Sequence, residues 1–196
     1  MYYKYSFILL LSSIAFSVHA QKATLPLDER GKYIYYEVVD SVNYSKQQLF
    51  EYAKNFLEKK SNKTIKISSI TADSVINAEG KLLLGKNILI ASRPSGEVTY
   101  NFVCELKDNK YRFWLTDFKF IPYMRDRYGN FVPSTPIGTN LEKSPGKLNE
   151  GVWKQNITST AESAAAFATE FKANMKAQVV VKPSEVKKET ISTKKW

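Results

Sequence analysis

Two alternating runs separated by two residues constrain this chain more than any other feature. Residues 97–107 and 110–121 each interleave apolar and polar side chains, with Asp108-Asn109 between them. Alternation of this kind is the mark of a half-buried strand, and so short a connection makes an antiparallel hairpin. The loop length fixes the register. Leu106 faces Tyr111, Cys104 faces Phe113 and Phe102 faces Leu115 on one side of the ribbon, which is assigned to the core. On the other side Glu105 meets Arg112, and Trp114 falls beside Val103. Unbroken alternation beyond Leu115 would bury Asp117 and Lys119 and expose Phe118 and Phe120. One extra residue near Thr116-Asp117 returns both phenylalanines to the core side, so a β-bulge is expected there.

The rest of the chain supplies partners for this ribbon. Lys32 to Val39 is rich in aromatic and β-branched residues and reads as a first strand. A helix over 46–60 follows, with Ser45 as N-cap, Gln48 completing a capping box, and Tyr44 and Leu49 forming a hydrophobic staple. Leu49, Ala53, Phe56 and Leu57 make its apolar face. Residues 64–76 and 82–91 read as two more strands joined by a turn at Ala78-Glu79-Gly80-Lys81, and Gly85 suggests a bulge. Arg93-Pro94-Ser95-Gly96 reads as the next turn. Residues 122–146 contain Pro122, Pro133, Pro136 and Pro145 and are expected to form a long loop. A final helix over 148–177 carries the stripe Trp153, Ile157, Ala161, Ala164, Phe167, Ala168, Phe171 and Met175.

The termini read differently. Residues 1–20 look like a secretory signal peptide: Lys4 supplies the charge, Phe7 to Val18 the apolar stretch, and Val18-His19-Ala20 the cleavage site. The apolar stretch is shorter than the roughly 20 residues of a membrane-spanning helix. A periplasmic or secreted protein is therefore expected, beginning at Gln21, with 21–31 an irregular leader, 32–177 a single domain and 178–196 a flexible basic tail in which Val179-Val180-Val181 could add an edge strand. The net charge of +10 would ordinarily invite nucleic acid. Export argues against that partner, and the scattered lysines leave at most a weak attraction to anionic envelope polymers or lipid headgroups.

Little catalytic chemistry is available. His19, the one histidine, leaves with the signal peptide, and Cys104 is the one cysteine. Histidine-dependent triads, the usual zinc sites and an internal disulfide framework are thereby excluded, and Cys104 is expected to be buried and inert. No phosphate-binding glycine loop or calcium loop is present, so no cofactor is expected. Glu97, Glu105 and Asp117 are the carboxylates that could form a hydrolytic pair, with Glu97 and Glu105 on the outer face as ordinary solvated groups. Trp114 on the outer face, and Tyr123, Arg125, Arg127, Tyr128 and Phe131 in the 122–146 segment, form the candidate binding surface, because aromatic residues and arginine anchor interfaces. Asn43, Asn62 and Asn156 begin N-glycosylation sequons, and Asp40-Ser41-Val42 and Asp73-Ser74-Val75 resemble bacterial O-glycosylation sites.

The run Tyr36-Glu37-Val38-Val39, the helix from Ser45 to Leu57, the expected Gly80 turn and the ribbon Tyr100–Phe120 around Asp108-Asn109-Lys110-Tyr111-Arg112 resemble a family of uncharacterised exported Bacteroidota proteins described as having a fold like the TATA-binding protein. The resemblance implies an α+β domain: a curved, mainly antiparallel sheet of about five strands with both helices on one face. Shape does not transfer function. The expected role is a non-enzymatic binding or interaction module of the cell envelope, with an envelope protein, a glycan or a small ligand as its partner. A carrier of an apolar or amphiphilic ligand lined by Phe102, Phe113 and Phe120 is the alternative, and a carboxylate-dependent hydrolase the third.

Overall fold

The computed structural model describes residues 24–40, 43–61, 64–88, 91–143, 146 and 149–177. The signal peptide expected over residues 1–20, the tail expected over 178–196 with its valines, and Asn62 of its sequon lie outside the described residues. Elements in chain order are β1 (Ile34–Asp40), α1 (Lys46–Lys60), β2 (Ile65–Thr71), β3 (Val75–Ile88), β4 (Ala91–Lys107), β5 (Lys110–Arg125), β6 (Phe131–Pro133), β7 (Thr139–Asn140) and α2 (Glu150–Ala177). Five strands make a curved, open sheet in the order β1-β5-β4-β3-β2, antiparallel throughout, and the short β6 and β7 pair with β5.

The central ribbon keeps the register that its loop dictates. Leu106 pairs with Tyr111, Cys104 with Phe113 and Phe102 with Leu115. The ladder then slips between Thr99 and Asn101, with Asn101 opposite Thr116 but Thr99 opposite Lys119. Asp117 is the extra residue, at φ 55°. The slip buries Phe118 completely and turns Phe120 against Trp153, their ring centroids 5.9 Å apart.

Both helices cover the same side of the sheet, the side that presents the even-numbered residues of β4. α1 starts with the capping box: the Ser45 hydroxyl accepts from Gln48 N and the Gln48 side chain accepts from Ser45 N. The β4–β5 turn reinforces this end, since Asp108 Oδ1 accepts from Lys46 N at 2.7 Å. A carboxylate there satisfies an orphan helix donor and complements the helix dipole. α2 lays Ala161, Ala164, Phe167, Ala168, Phe171 and Met175 on the sheet. Phe171 meets Phe56, Phe102, Tyr111 and Phe113 edge-on, with ring centroids 5.0–5.9 Å apart. Phe102 and Phe113, expected to line a carrier cavity, are instead fully buried against each other and Phe171. Cys104 is buried among them, and burial pushes its thiol well above the ordinary range.

Three expectations are corrected. Ala78-Glu79-Gly80-Lys81 is not a turn: it lies inside β3, between β2 and β4. The chain reverses instead at Ala72 and Asp73, both at left-handed φ. Gly80 is there because the Tyr100 ring lies over it, leaving no room for a Cβ. Arg93-Pro94-Ser95-Gly96 is not a turn either but part of β4, where Pro94 pairs with Gly85 at a bulge and Ser95 Oγ donates to Leu84 O. Bulges are where a strand tolerates proline, and the Gly85 irregularity is the one expected from sequence. The 122–146 segment is not one long loop. β5 runs on to Arg125, β6 turns back along it, and β7 rejoins it at Lys119 and Phe120. Residues 24–31, the described part of the expected irregular leader, form no helix or strand but pack on the domain: Leu25 is buried in the core, and Leu27 bridges Tyr33.

Candidate functional site

The face of the sheet opposite the helices has no layer over it among the described residues. It carries the odd-numbered residues of β4 and their neighbours. Across its middle the cross-strand row is Tyr36, Trp114, Val103 and Asn77. The next row is Val38, Arg112, Glu105 and Val75. Tyr36 is 47% exposed and its ring lies 6.3 Å from that of Trp114, tilted by 36°. The two rings floor an open groove of about 530 Å³, lined besides by Ile34, Val103, Asp28, Glu29, Arg30, Asn101, Arg112, Thr116 and Asp117.

Local structure holds the charged walls in place. Asp28 closes a tight turn by accepting from Arg30 N and Lys32 N, each at 2.9 Å, and its second oxygen accepts from Arg30 Nη2 at 2.8 Å. The Lys32 amide holds the Asp28 carboxyl below the usual range, with the Arg30 contacts adding to the effect. Arg30 is thereby aimed along β5, donating to Thr116 Oγ1 at 3.2 Å, with Nη1 3.8 Å from Asp117 Oδ2. On the far side Arg112 Nε donates to Glu105 Oε2 at 2.7 Å, the cross-strand pair expected from the register. Its guanidinium lies 5.6 Å from the Trp114 ring centroid. Asn101 Nδ2 donates to Asp117 Oδ2 at 3.4 Å.

Trp114 therefore stands where sequence placed it, next to Val103 on the outer face. None of Tyr123, Arg125, Arg127, Tyr128 and Phe131 lines its groove. These five belong to the β5–β6 hairpin. Asp126 anchors the hairpin tip, accepting from the amides of Tyr128 and Asn130 at 2.8 Å. Arg125 lies over the Phe131 ring and Arg127 over that of Tyr128, which is 75% exposed. Tyr123 is tied elsewhere: its hydroxyl donates to Glu97 Oε2 at 2.8 Å, and burial followed by this bond pushes its pKa up to about 12.

The three carboxylates named from sequence each have their own cation. Glu97 is on the outer face but only 6% exposed, not solvated as expected, and Lys81 Nζ sits 3.1 Å from it. Glu105 is held by Arg112, and Asp117 lies beside Arg30. Asn156, in one of the sequons, is buried on α2. No group of three or more metal-ligating side chains gathers among the described residues. Sequence reasoning missed Arg30 and Tyr36. Asp28-Glu29-Arg30 carried a usable signal, an aspartate able to cap its own turn. Tyr36 carried none, because its place beside Trp114 depends on strand order.

An open antiparallel sheet with two helices on one face and the other face bare is the TBP-like α+β class. Residues 35–121 match the family model described as "Domain of unknown function (DUF4468) with TBP-like fold", so the resemblance drawn from sequence holds. Two solved structures share the fold. A TBP-like protein from Parabacteroides distasonis has 17% identity and a TM-score of 0.52, over 77% of this chain and 94% of that one. A DUF4468 family protein from Bacteroides ovatus has 13% identity and a TM-score of 0.53, over 78% of this chain and 91% of that one. No curated protein matches the chain.

Proposed function

We propose that the protein is an exported, non-enzymatic binding module of the bacterial envelope, and that it binds through the bare sheet face around Trp114. The observation that carries this reading is the Tyr36–Trp114 pair, Tyr36 exposed and Trp114 half-buried, flanked by positioned arginines. Aromatic rings left partly open on a sheet face give up stability that a covering layer would supply. Their use as contact area accounts for them, since aromatic residues and arginine anchor most interfaces. Arg112 and Arg30 are held by Glu105 and Asp28, so a partner need not immobilise them and less ordering entropy is lost on binding. The β5–β6 tip, with Arg125, Arg127, Tyr128 and Phe131, adds a second patch to the same module. Export rests on the signal-like residues 1–20.

The test has two arms. N-terminal sequencing of the protein from its own cells is expected to begin at Gln21, and a chain retaining His19 would overturn the export reading. Affinity capture from the envelope fraction is then compared between the native chain and Trp114→Ala, Arg112→Ala and Arg127→Ala variants. Loss of the captured component on substitution of Trp114 or Arg112 supports the sheet face as the surface. Capture unchanged in all three variants would exclude it.

A further inference from the structure

The chemistry of the Trp114 groove specifies more than a contact surface. On the face of a sheet, backbone donors and acceptors are already used in the ladder, so a ligand there is recognised by side chains alone. An extended peptide adding main-chain hydrogen bonds belongs at an edge instead. The groove floor is two rings tilted by 36°, the exposed Tyr36 and the half-buried Trp114, with the Arg112 guanidinium 5.6 Å from the Trp114 centroid, so a ligand ring reaches Trp114 beside that guanidinium. Its walls hold three carboxylates, Asp28, Glu29 and Asp117, and two guanidiniums, Arg30 and Arg112, with Asn101 and Thr116 between them. Acids outnumber bases here although the chain as a whole carries +10. A polyanion would meet the three carboxylates, and a cation would meet the two guanidiniums.

The ligand that fits is uncharged, has a flat C–H face to lie on the rings, and is ringed by hydroxyls that both donate and accept. Arg30, Arg112 and Asn101 can donate to such hydroxyls, while Asp117 and Glu29 can accept from them. These features together describe a pyranose. The groove's volume of about 530 Å³ falls within the range of ordinary ligand sites. It is also open-ended. The groove lined by Ser61, Lys66, Glu79, Lys81 and Lys119 shares Asn101 and Asp117 with it, and the groove lined by Val38, Lys107, Lys110 and Tyr111 shares Tyr36 and Arg112. Building on the bare face as the binding surface, we propose that it binds a neutral oligosaccharide laid across the strands, with one sugar ring on Tyr36 and Trp114.

Titration calorimetry on the full mature chain tests this, with neutral glucan, mannan and xylan hexasaccharides as probes and an oligogalacturonate hexamer and an unstructured neutral peptide as contrasts. One neutral sugar is expected to bind with a dissociation constant of about 0.1–1 mM. Trp114→Ala and Tyr36→Ala are expected to weaken it roughly tenfold, while Arg127→Ala leaves it unchanged. Trp114→Phe retains a ring for stacking and is expected to keep most of the affinity, which separates stacking from misfolding if the alanine variant is unstable. Trp114-dependent binding of the oligogalacturonate or the peptide with no neutral sugar bound overturns the saccharide inference and leaves the surface reading standing. Silence from every probe also overturns it, and the surface reading then rests on the capture experiment.

Discussion

Asp117 sits at φ 55°, a conformation that few L-residues adopt outside asparagine and aspartate. Its position in the bulge is what rephases β5, and its carboxylate also lies beside Arg30 on the groove wall. The backbone and the site thus select the same residue type. Asp117→Gly keeps the conformation accessible, whereas Asp117→Val forces a β-branched side chain into it. Urea denaturation is expected to find the valine variant less stable than the glycine variant by about 1–2 kcal/mol. Equal midpoints would mean that φ is not what favours aspartate. The bulge was legible in sequence because Phe118 and Phe120 announced the phase error. The left-handed residue itself was not, since alternation shows that an extra residue exists without saying which one leaves the ladder.

The tyrosines make a second residue-scale case. Burial raises the phenol pKa of Tyr35, Tyr100 and Tyr111, and that of Tyr123 to about 12, from an ordinary value of 10.0. The folded state therefore favours the neutral phenol. Above about pH 10 the unfolded chain sheds these protons first, so the stability they contribute is fully present below that pH and is lost as pH rises through the folded values. Urea midpoints are expected to stay level from about pH 7 to pH 9 as far as tyrosine is concerned and to fall steadily above about pH 10. Tyr123→Phe should fall less steeply; an identical slope would show that Tyr123 titrates normally.

At the scale of elements, the strands were read well where one signal acted and badly where two competed. The β4–β5 register followed from alternation and a two-residue loop, both local. Gly80 was misread as a turn because glycine serves two purposes, positive φ and close approach, and only the fold distinguishes them. Here the purpose is the Tyr100 ring, buried between Phe118 and Phe167. Gly80→Ala is expected to cost about 1–3 kcal/mol in thermal or urea unfolding, because that buried ring would have to shift to admit a Cβ. In the Tyr100→Leu background the same substitution should cost clearly less, and strictly additive effects would refute the contact as the cause. The 122–146 segment failed for a different reason. β6 and β7 are three and two residues long, too short for any period to register among the prolines. Asp126 closes the β5–β6 turn through its acceptor bonds to Tyr128 and Asn130, and nothing in the local pattern sets it apart from any other loop aspartate. The candidate site divided in the same way: Trp114 could be placed from its own ribbon, while Tyr36 and Arg30 reach it from strands and turns whose neighbours no local pattern records.

For the molecule as a whole, the sharpest tension is between its charge and its shape. A chain of net charge +10 with a TBP-like sheet invites the idea that the bare face holds nucleic acid. The distribution of charge on that face argues otherwise. At the Trp114 groove Arg112 is neutralised by Glu105 and Arg30 faces Asp28 and Asp117, and farther out Lys81 faces Glu97, whereas Lys66, Lys107, Lys110 and Lys119 line the flanking grooves without an ion pair among the described residues. A duplex docked on the Trp114 groove itself would release few counterions and would leave Asp28, Glu29 and Asp117 against phosphates. Any affinity for DNA must come from lysines elsewhere, and must then be weak, strongly salt-dependent and indifferent to the groove. Fluorescence anisotropy with a short duplex is expected to show binding at about 50 mM salt that is largely lost by about 200 mM, with Trp114→Ala and Tyr36→Ala behaving as the native chain. Binding that persists at the higher salt and falls with either aromatic substitution would place nucleic acid on the sheet face and overturn the charge argument. The paired arginines would then have to exchange their carboxylates for phosphates, and Glu105→Gln would strengthen binding, a result that the neutral-ligand reading forbids.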